Sequence, residues 1–409
     1  MLARPALLLL ESSGLCTAAL SLSSVFVALF FYVTSGSVAG MAYYSIGRYL
    51  GLIVMSAVIV AWLPAVSPKR LFRVGLGLTA AFYGSLILVG GAAGHLALPL
   101  GFVNGAASGV YWFGNGTLVY DVVSPSERGR YYGFSFALGS VLNVGMPLAS
   151  GAIIAGIGGK TGYFVVFGLA LVAFVAAWGR GRHLRDTPAV GGRRLREAFL
   201  LPFVMPRWGR AFLVMAMRGF KQTAGSLGLI TLVYLADKSP AAQGEYAAIS
   251  SAAGIATSIL AGHLPLRFRA AGIWLGAAGF AAATLLLLGP IGLGLVLIYG
   301  AVTGFVYPGV MVPVASIILE TIDDDPAGRE RRGAYILSRE WAANLGRLAA
   351  AGLLLGLIAL VSTRVAVLST LCVAGALQLV IAALVARGDV LRRLWQWGVT
   401  LYRTPSAED

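Results

Sequence analysis

The chain has 409 residues, of which 58% are hydrophobic and 11% charged, with a mean hydropathy of +0.83. A soluble domain carries about a quarter charged residues, so that class is excluded and a polytopic membrane protein is indicated. The net charge of +15 does not signal nucleic acid, because Lys and Arg fall in short loops between apolar runs, where they act as topology signals.

Twelve apolar runs are long enough to cross a hydrocarbon layer of about 30 Å as helices. They lie near 15–33, 41–63, 74–92, 98–120, 134–156, 162–178, 211–235, 246–264, 271–289, 291–319, 334–360 and 364–386. The first follows a short polar stretch and reads as an uncleaved span. Span two carries Arg48 one turn after Tyr44. Span four places Asn104, Ser108, Trp112 and Asn115 on one face. Between spans six and seven, Gly179 to Arg210 carries Arg180, Arg182, Arg185, Arg193, Arg194 and Arg196, and reads as a linker. Its basic run serves as a topology signal or as a holder of anionic lipid. Span seven carries Arg218 and Lys221 three apart, followed by Gln222, Thr223 and Ser226. Span ten places Tyr299, Thr303 and Tyr307 at intervals of four. After Arg387, Leu391, Leu394, Trp395, Val399 and Tyr402 recur at helical spacing among arginines, the pattern of an amphipathic helix on the inner interface.

Span eleven is the richest. Glu340, Asn344 and Arg347 are spaced four and three apart and share one helix face. At 1.5 Å per residue, Arg347 lies about 21 Å from Gly333, near mid-membrane, with Glu340 about 10 Å nearer the helix start. Glu340 is the one carboxylate well inside a predicted span. A partly buried carboxylate is a candidate proton carrier; the bland reading is a structural ion pair with Arg339 or Arg347. Arg218, Lys221, Arg347 and Arg48 suit an anionic group, the alternative being snorkelling to the surface. Polar and aromatic stripes on spans four and ten line a substrate path or serve helix packing.

The chain repeats at an offset of 201 residues. Pro125, Arg128, Arg130, Asn143, Gly145, Ala149 and Gly151 pair with Pro326, Arg329, Arg331, Asn344, Gly346, Ala350 and Gly352. The copies differ where charge matters, with Gly139 against Glu340 and Met146 against Arg347. Two copies of one membrane unit in parallel repeat are indicated. The division is 1–178, a six-helix bundle; 179–210, a basic linker; 211–386, a second bundle; and 387–409, an amphipathic tail. With both termini cytoplasmic, cytoplasmic segments hold 23 Lys and Arg residues against 3 in the outer loops.

Two six-span halves with a basic linker resemble the major facilitator superfamily of secondary transporters. Ser126-Glu127-Arg128-Gly129-Arg130-Tyr131-Tyr132-Gly133 resembles the Arg-Gly-Arg-x-x-Gly turn that many members carry between spans four and five. The family's acidic loop between spans two and three is replaced by Ser67-Pro68-Lys69-Arg70-Leu71-Phe72-Arg73-Val74-Gly75, which lacks a carboxylate. Gly139, Gly145, Pro147 and Gly151 of span five partly match the Gly/Pro motif of the family's antiporters. The resemblance implies an all-α transmembrane fold of twelve spans in two pseudo-symmetric bundles, working by alternating access. It implies that spans one, four, seven and ten line the cavity, and that the basic turns at Arg128, Arg130, Arg329 and Arg331 serve gating.

The expected function is secondary transport of a small organic solute, with an anion favoured by the basic side chains and proton coupling resting on Glu340. The alternatives are efflux of diverse amphipathic compounds and a lipid-handling flippase. There is no Walker loop, no zinc-binding spacing of His and Glu and no nucleophile elbow. The chain therefore reads as a non-enzyme without cofactor or metal. Its expected partners are the solute, membrane lipid and H+, and its expected state is a monomer in a bacterial cytoplasmic membrane.

Overall fold

A computed structural model describes residues 2–62, 66–124, 128–187, 195–263, 269–290, 292–323, 325 and 331–401. Every regular element among them is helical. Six helices form the first half: α1 (Arg4–Ser35), α2 (Val38–Trp62), α3 (Pro68–Val89), α4 (Ala97–Val122), α5 (Arg128–Ile157) and α6 (Gly159–Arg180). A short α7 (Leu195–Val204) stands in the linker. The second half holds α8 (Pro206–Ala236), α9 (Pro240–His263), α10 (Arg269–Leu286), α11 (Leu293–Asp323), α12 (Arg332–Leu360) and α13 (Thr363–Leu401). The helices begin and end where local chemistry directs. Ser67 caps α3 through its hydroxyl, which accepts from the Arg70 amide, and Pro68 follows at the first turn. Gly36 closes α1 at φ 68°, a left-handed conformation that a side chain disfavours.

The twelve expected spans correspond to the twelve long helices, with shifted ends. α1 starts eleven residues before the predicted span, at Arg4. Glu11, inside this early part of α1, pairs with Arg180 at the end of α6. Among the described residues, eight stretches are long and apolar enough to cross a membrane, one of them, Pro68–Val119, taking in both α3 and α4. A ninth is the pair α7 and α8, bent by 101°. α10 offers a shorter apolar stretch, Ala271–Leu286. α13 continues unbroken to Leu401, so the tail set apart at 387 begins inside a helix; residues 402–409 lie outside the described residues.

α1 to α6 pack on one another, as do α8 to α13. The first bundle has an aromatic core in which Phe30 meets Phe31, Tyr163, Phe164 and Phe167. Close helix crossings replace hydrophobic burial as the organising force, as membrane packing requires. A Cβ at Gly101 would run into the Tyr44 carbonyl, and one at Gly105 into the Arg48 carbonyl, so α2 and α4 touch backbone to backbone. Gly219 and Gly346 do the same for α8 and α12, against the carbonyls of Ala343 and Ala216.

Among the described residues the bundles meet along three main seams. α1 meets α8 through Tyr32 and Tyr234, edge to face at 4.9 Å. α5 meets α9 where Gly151 and Pro147 lie against Pro240 and Gly244. α2 meets α8 and α12 around Tyr49, described next, and again near the linker, where Val60 joins the apolar cluster of Trp208, Ala334 and Tyr335.

Candidate functional site

The crossing of α8 and α12 sets Gln222 beside Arg347. Arg347 donates from Nε and Nη2 to Gln222 Oε1, at 3.2 and 2.8 Å, and from Nη1 to Asn344 Oδ1 at 2.8 Å. Asn344 is fully buried, and its Nδ2 donates to the Glu340 carbonyl one turn back. Arg347 is therefore oriented by two neutral carbonyls; among the described residues it forms no ion pair, and Glu340 lies within electrostatic range. Its guanidinium carbon lies 5.7 Å from the centre of the Tyr49 ring, which belongs to α2 of the other bundle. The Tyr49 and Thr223 hydroxyls hydrogen-bond across the same seam, at 2.8 Å.

The other cations stand around this point. Lys221 Nζ sits 3.2 Å above the Tyr307 ring of α11 and 4.8 Å from Phe280 of α10. Such cation–π contacts are worth about 2 kcal/mol when water is excluded. Arg218, one turn earlier, lies beside the Tyr307 side chain. Arg48 lies within electrostatic range of Arg347 and of Tyr44, Tyr49 and Tyr83. Its Nε is buried without a hydrogen-bond partner. Arg48 and Arg218 thus lie within electrostatic range of Arg347, Lys221 stands beside Arg218 on the side of α10 and α11, and among the described residues none of the four forms an ion pair with a carboxylate. The nearest acid along α12, Glu340, pairs with its neighbour Arg339 at 3.0 Å. That is one of the two structural pairs the sequence allowed.

The remaining expected site residues divide. Tyr307 joins the cluster. Asn104 is buried and donates to the Tyr44 hydroxyl, behind Arg48. Asn115 keeps a buried Oδ1 without a partner. Trp112 is 49% exposed, with its ring edge against Tyr111. Tyr299 and Thr303 are buried in the helix packing, and the Thr303 hydroxyl donates to the Tyr299 carbonyl within α11. Neither reaches the cations. Arg331 pairs with Glu197 of α7 at 2.9 Å and with Asp325 at 3.7 Å. Arg329 lies outside the described residues, as do the side chains of Arg128 and Arg130 at the start of α5. Tyr49, Phe280 and the acceptor role of Gln222 are additions of the tertiary structure. For two of them the sequence signal was adjacency, since Tyr49 follows Arg48 and Gln222 follows Lys221; Phe280 carried no signal.

Two bundles of six helices, joined by a linker and meeting at a polar mid-height seam, define a membrane carrier. The profile of the Major Facilitator Superfamily matches residues 12–312, and the chain belongs to that superfamily of secondary transporters, a family of carriers and not of enzymes. It is 27% identical over 375 residues to the uncharacterized protein YqgE of Bacillus subtilis (strain 168), covering 90% of this chain and 86% of that one. It is 30% identical over 203 residues to an uncharacterized protein of Geobacillus stearothermophilus encoded in the sodM 3' region, covering 49% of this chain and 91% of that one. Among solved structures, the nucleoside transporter NupG superposes with a TM-score of 0.66 at 11% identity, over 94% of this chain and 99% of that one. The peptide transporter POT in complex with sulfate gives 0.67 at 14% identity, over 96% and 95%. These structural likenesses establish the fold. The chain is a multi-pass membrane protein with bacterial relatives.

Proposed function

We propose that this chain carries a small organic anion by alternating access between the bundles at 1–178 and 211–386. The observation that supports this is the convergence of Arg48, Arg218, Lys221 and Arg347 without a carboxylate partner among the described residues. Burying unneutralised charge is costly unless a ligand completes the site. A carboxylate or phosphate bound there gains charge-assisted hydrogen bonds from guanidinium groups. The excess of Lys and Arg in loops on the terminus side supports a bacterial cytoplasmic membrane location with both termini cytoplasmic.

The test is uptake of organic anions and of amphipathic cations into proteoliposomes, with and without an imposed pH gradient. Anion uptake is expected, and Lys221→Ala should lower it at least about tenfold, the loss of one charged contact of roughly 2 kcal/mol or more. Cation uptake, or anion uptake indifferent to Lys221→Ala, would sink the reading.

Proton coupling is a second reading, favoured by the half-buried Glu340 on the face that leads to Asn344 and Arg347. Glu340→Gln is expected to abolish accumulation driven by the pH gradient while counterflow persists. Undiminished gradient-driven accumulation would leave the Arg339–Glu340 pair as structural.

A further inference from the structure

The linker holds a helix that the transport reading does not use. α7 leaves α8 at 101°. Because α8 crosses the membrane, α7 lies close to the membrane plane. Its ten residues divide by face. Ala198 and Leu201 are buried in the apolar cluster with Trp208, Met215, Tyr335 and Leu337. On the opposite face Phe199, Phe203 and Val204 are 60%, 74% and 71% exposed. The two phenyl rings lie 5.8 Å apart, and Arg196 is exposed on the same stripe.

The height of this helix decides what the exposed face meets. The Phe199 ring stands edge-on to Trp341 at 6.5 Å. Trp341 is nine residues into α12, about 13 Å from its start at 1.5 Å per residue. α7 therefore packs beside α12 and not beneath it, so its exposed face looks sideways, out of the bundle. A sideways apolar face at the end of a span, flanked by the exposed Arg196 and Arg210, matches the boundary between headgroups and acyl chains. The arginines suit anionic phosphates there.

We infer that α7 is an interfacial helix seated in the headgroup layer of a membrane containing anionic phospholipid, with Phe199, Phe203 and Val204 at the acyl boundary. Its other side grips the start of α12 through the Glu197–Arg331 ion pair. Lipid at α7 thereby holds in place the helix that carries Asn344 and Arg347. This inference is independent of the substrate.

The experiment uses the full chain with Cys372→Ser and buried Cys16 retained, nitroxide-labelled at Phe203→Cys and reconstituted into phosphatidylethanolamine–phosphatidylglycerol vesicles. Collisions with oxygen should exceed those with an aqueous nickel chelate several-fold. Exchanging phosphatidylglycerol for a neutral lipid, or introducing Arg196→Ala, should shift the label toward the chelate. A label that prefers the chelate from the outset means a water-facing helix and overturns the inference. Loss of both collisions means that polypeptide covers the face and does so equally. Insertion indifferent to anionic lipid and to Arg196 overturns the charge complementarity. Val204→Cys provides the same readout should the Phe203 variant fail to fold.

Discussion

The two bundles carry the same asparagine at equivalent positions and use it differently. Asn143 and Asn344 stand 201 residues apart, as do Ser21 and Gln222. In the first bundle, Ser21 donates to Asn143 Oδ1 at 2.6 Å, and the pair satisfies itself. In the second, Asn344 and Gln222 both turn carbonyl oxygens to Arg347, whose counterpart is Met146. A neutral polar pair in the first half corresponds to a cradle for a guanidinium in the second. Arg218 and Lys221 likewise correspond to Thr17 and Leu20. The lesson is that the cationic centre belongs mostly to one half, while the other half contributes Arg48 and the Tyr49 ring across the seam. Neutral carbonyl acceptors orient Arg347 without cancelling its charge, and the proposed function assigns that charge to an anionic ligand.

The largest effect should come from erasing the difference. Arg347→Met gives the second bundle the residue of the first. Anion uptake in proteoliposomes should fall at least about tenfold, since truncating one partner of a buried charged contact costs about 2–5 kcal/mol. The unfolding temperature should hold, because an apolar replacement relieves the desolvation of the charge. Uptake unchanged in this variant would mean that the cradle is structural.

Next comes the glycine beside each asparagine. Gly346→Ala drives a methyl into the Ala216 carbonyl, whereas Gly145→Ala enters open space. Overpacking costs about 1–3 kcal/mol, so Gly346→Ala should lower the unfolding temperature in detergent. Gly145→Ala should leave it level or raise it, since Ala favours a helix interior over Gly by about 1 kcal/mol. Equal shifts in the two variants would refute the asymmetric crossing.

Smaller still, Gln222→Ala removes one of two acceptors from Arg347. KM should rise about fivefold with kcat nearly kept, in line with a hydrogen bond of about 1 kcal/mol. The least effect belongs to Ser21→Ala, its counterpart. Stability should drop by about 1 kcal/mol at most and uptake should be unaltered. A transport defect there as large as in Gln222→Ala would show that both halves contribute equally to the site.

Much of this was readable in the chain. Apolar run length revealed the long helices, and the 201-residue offset revealed the two halves, because both depend on residue type and order alone. Glu340, Asn344 and Arg347 were placed on one face by helical spacing, and Asn344 and Arg347 do bond to each other. Tyr299 and Thr303 shared a stripe with Tyr307 but are taken up by packing and by a bond to their own helix. Periodicity gives the face of a helix without saying what that face meets. The sequence starts the first span at 15, after a short polar stretch, whereas α1 takes in Glu11, whose partner Arg180 lies 169 residues away.

The sequence by itself determined a helical, two-fold repeated membrane protein with its charges concentrated on the eighth and twelfth helices. Those properties follow from hydropathy and spacing along one strand of chain. Only the tertiary structure decided that Arg48, Arg218, Lys221 and Arg347 share one centre, that Tyr49 bridges the halves there, and that α7 turns sideways against α12. The physical reason is close backbone approach. Gly105 against Arg48 and Gly346 against Ala216 set which helices touch and at what height. That depends on pairs of residues far apart in sequence, and no local pattern contains them.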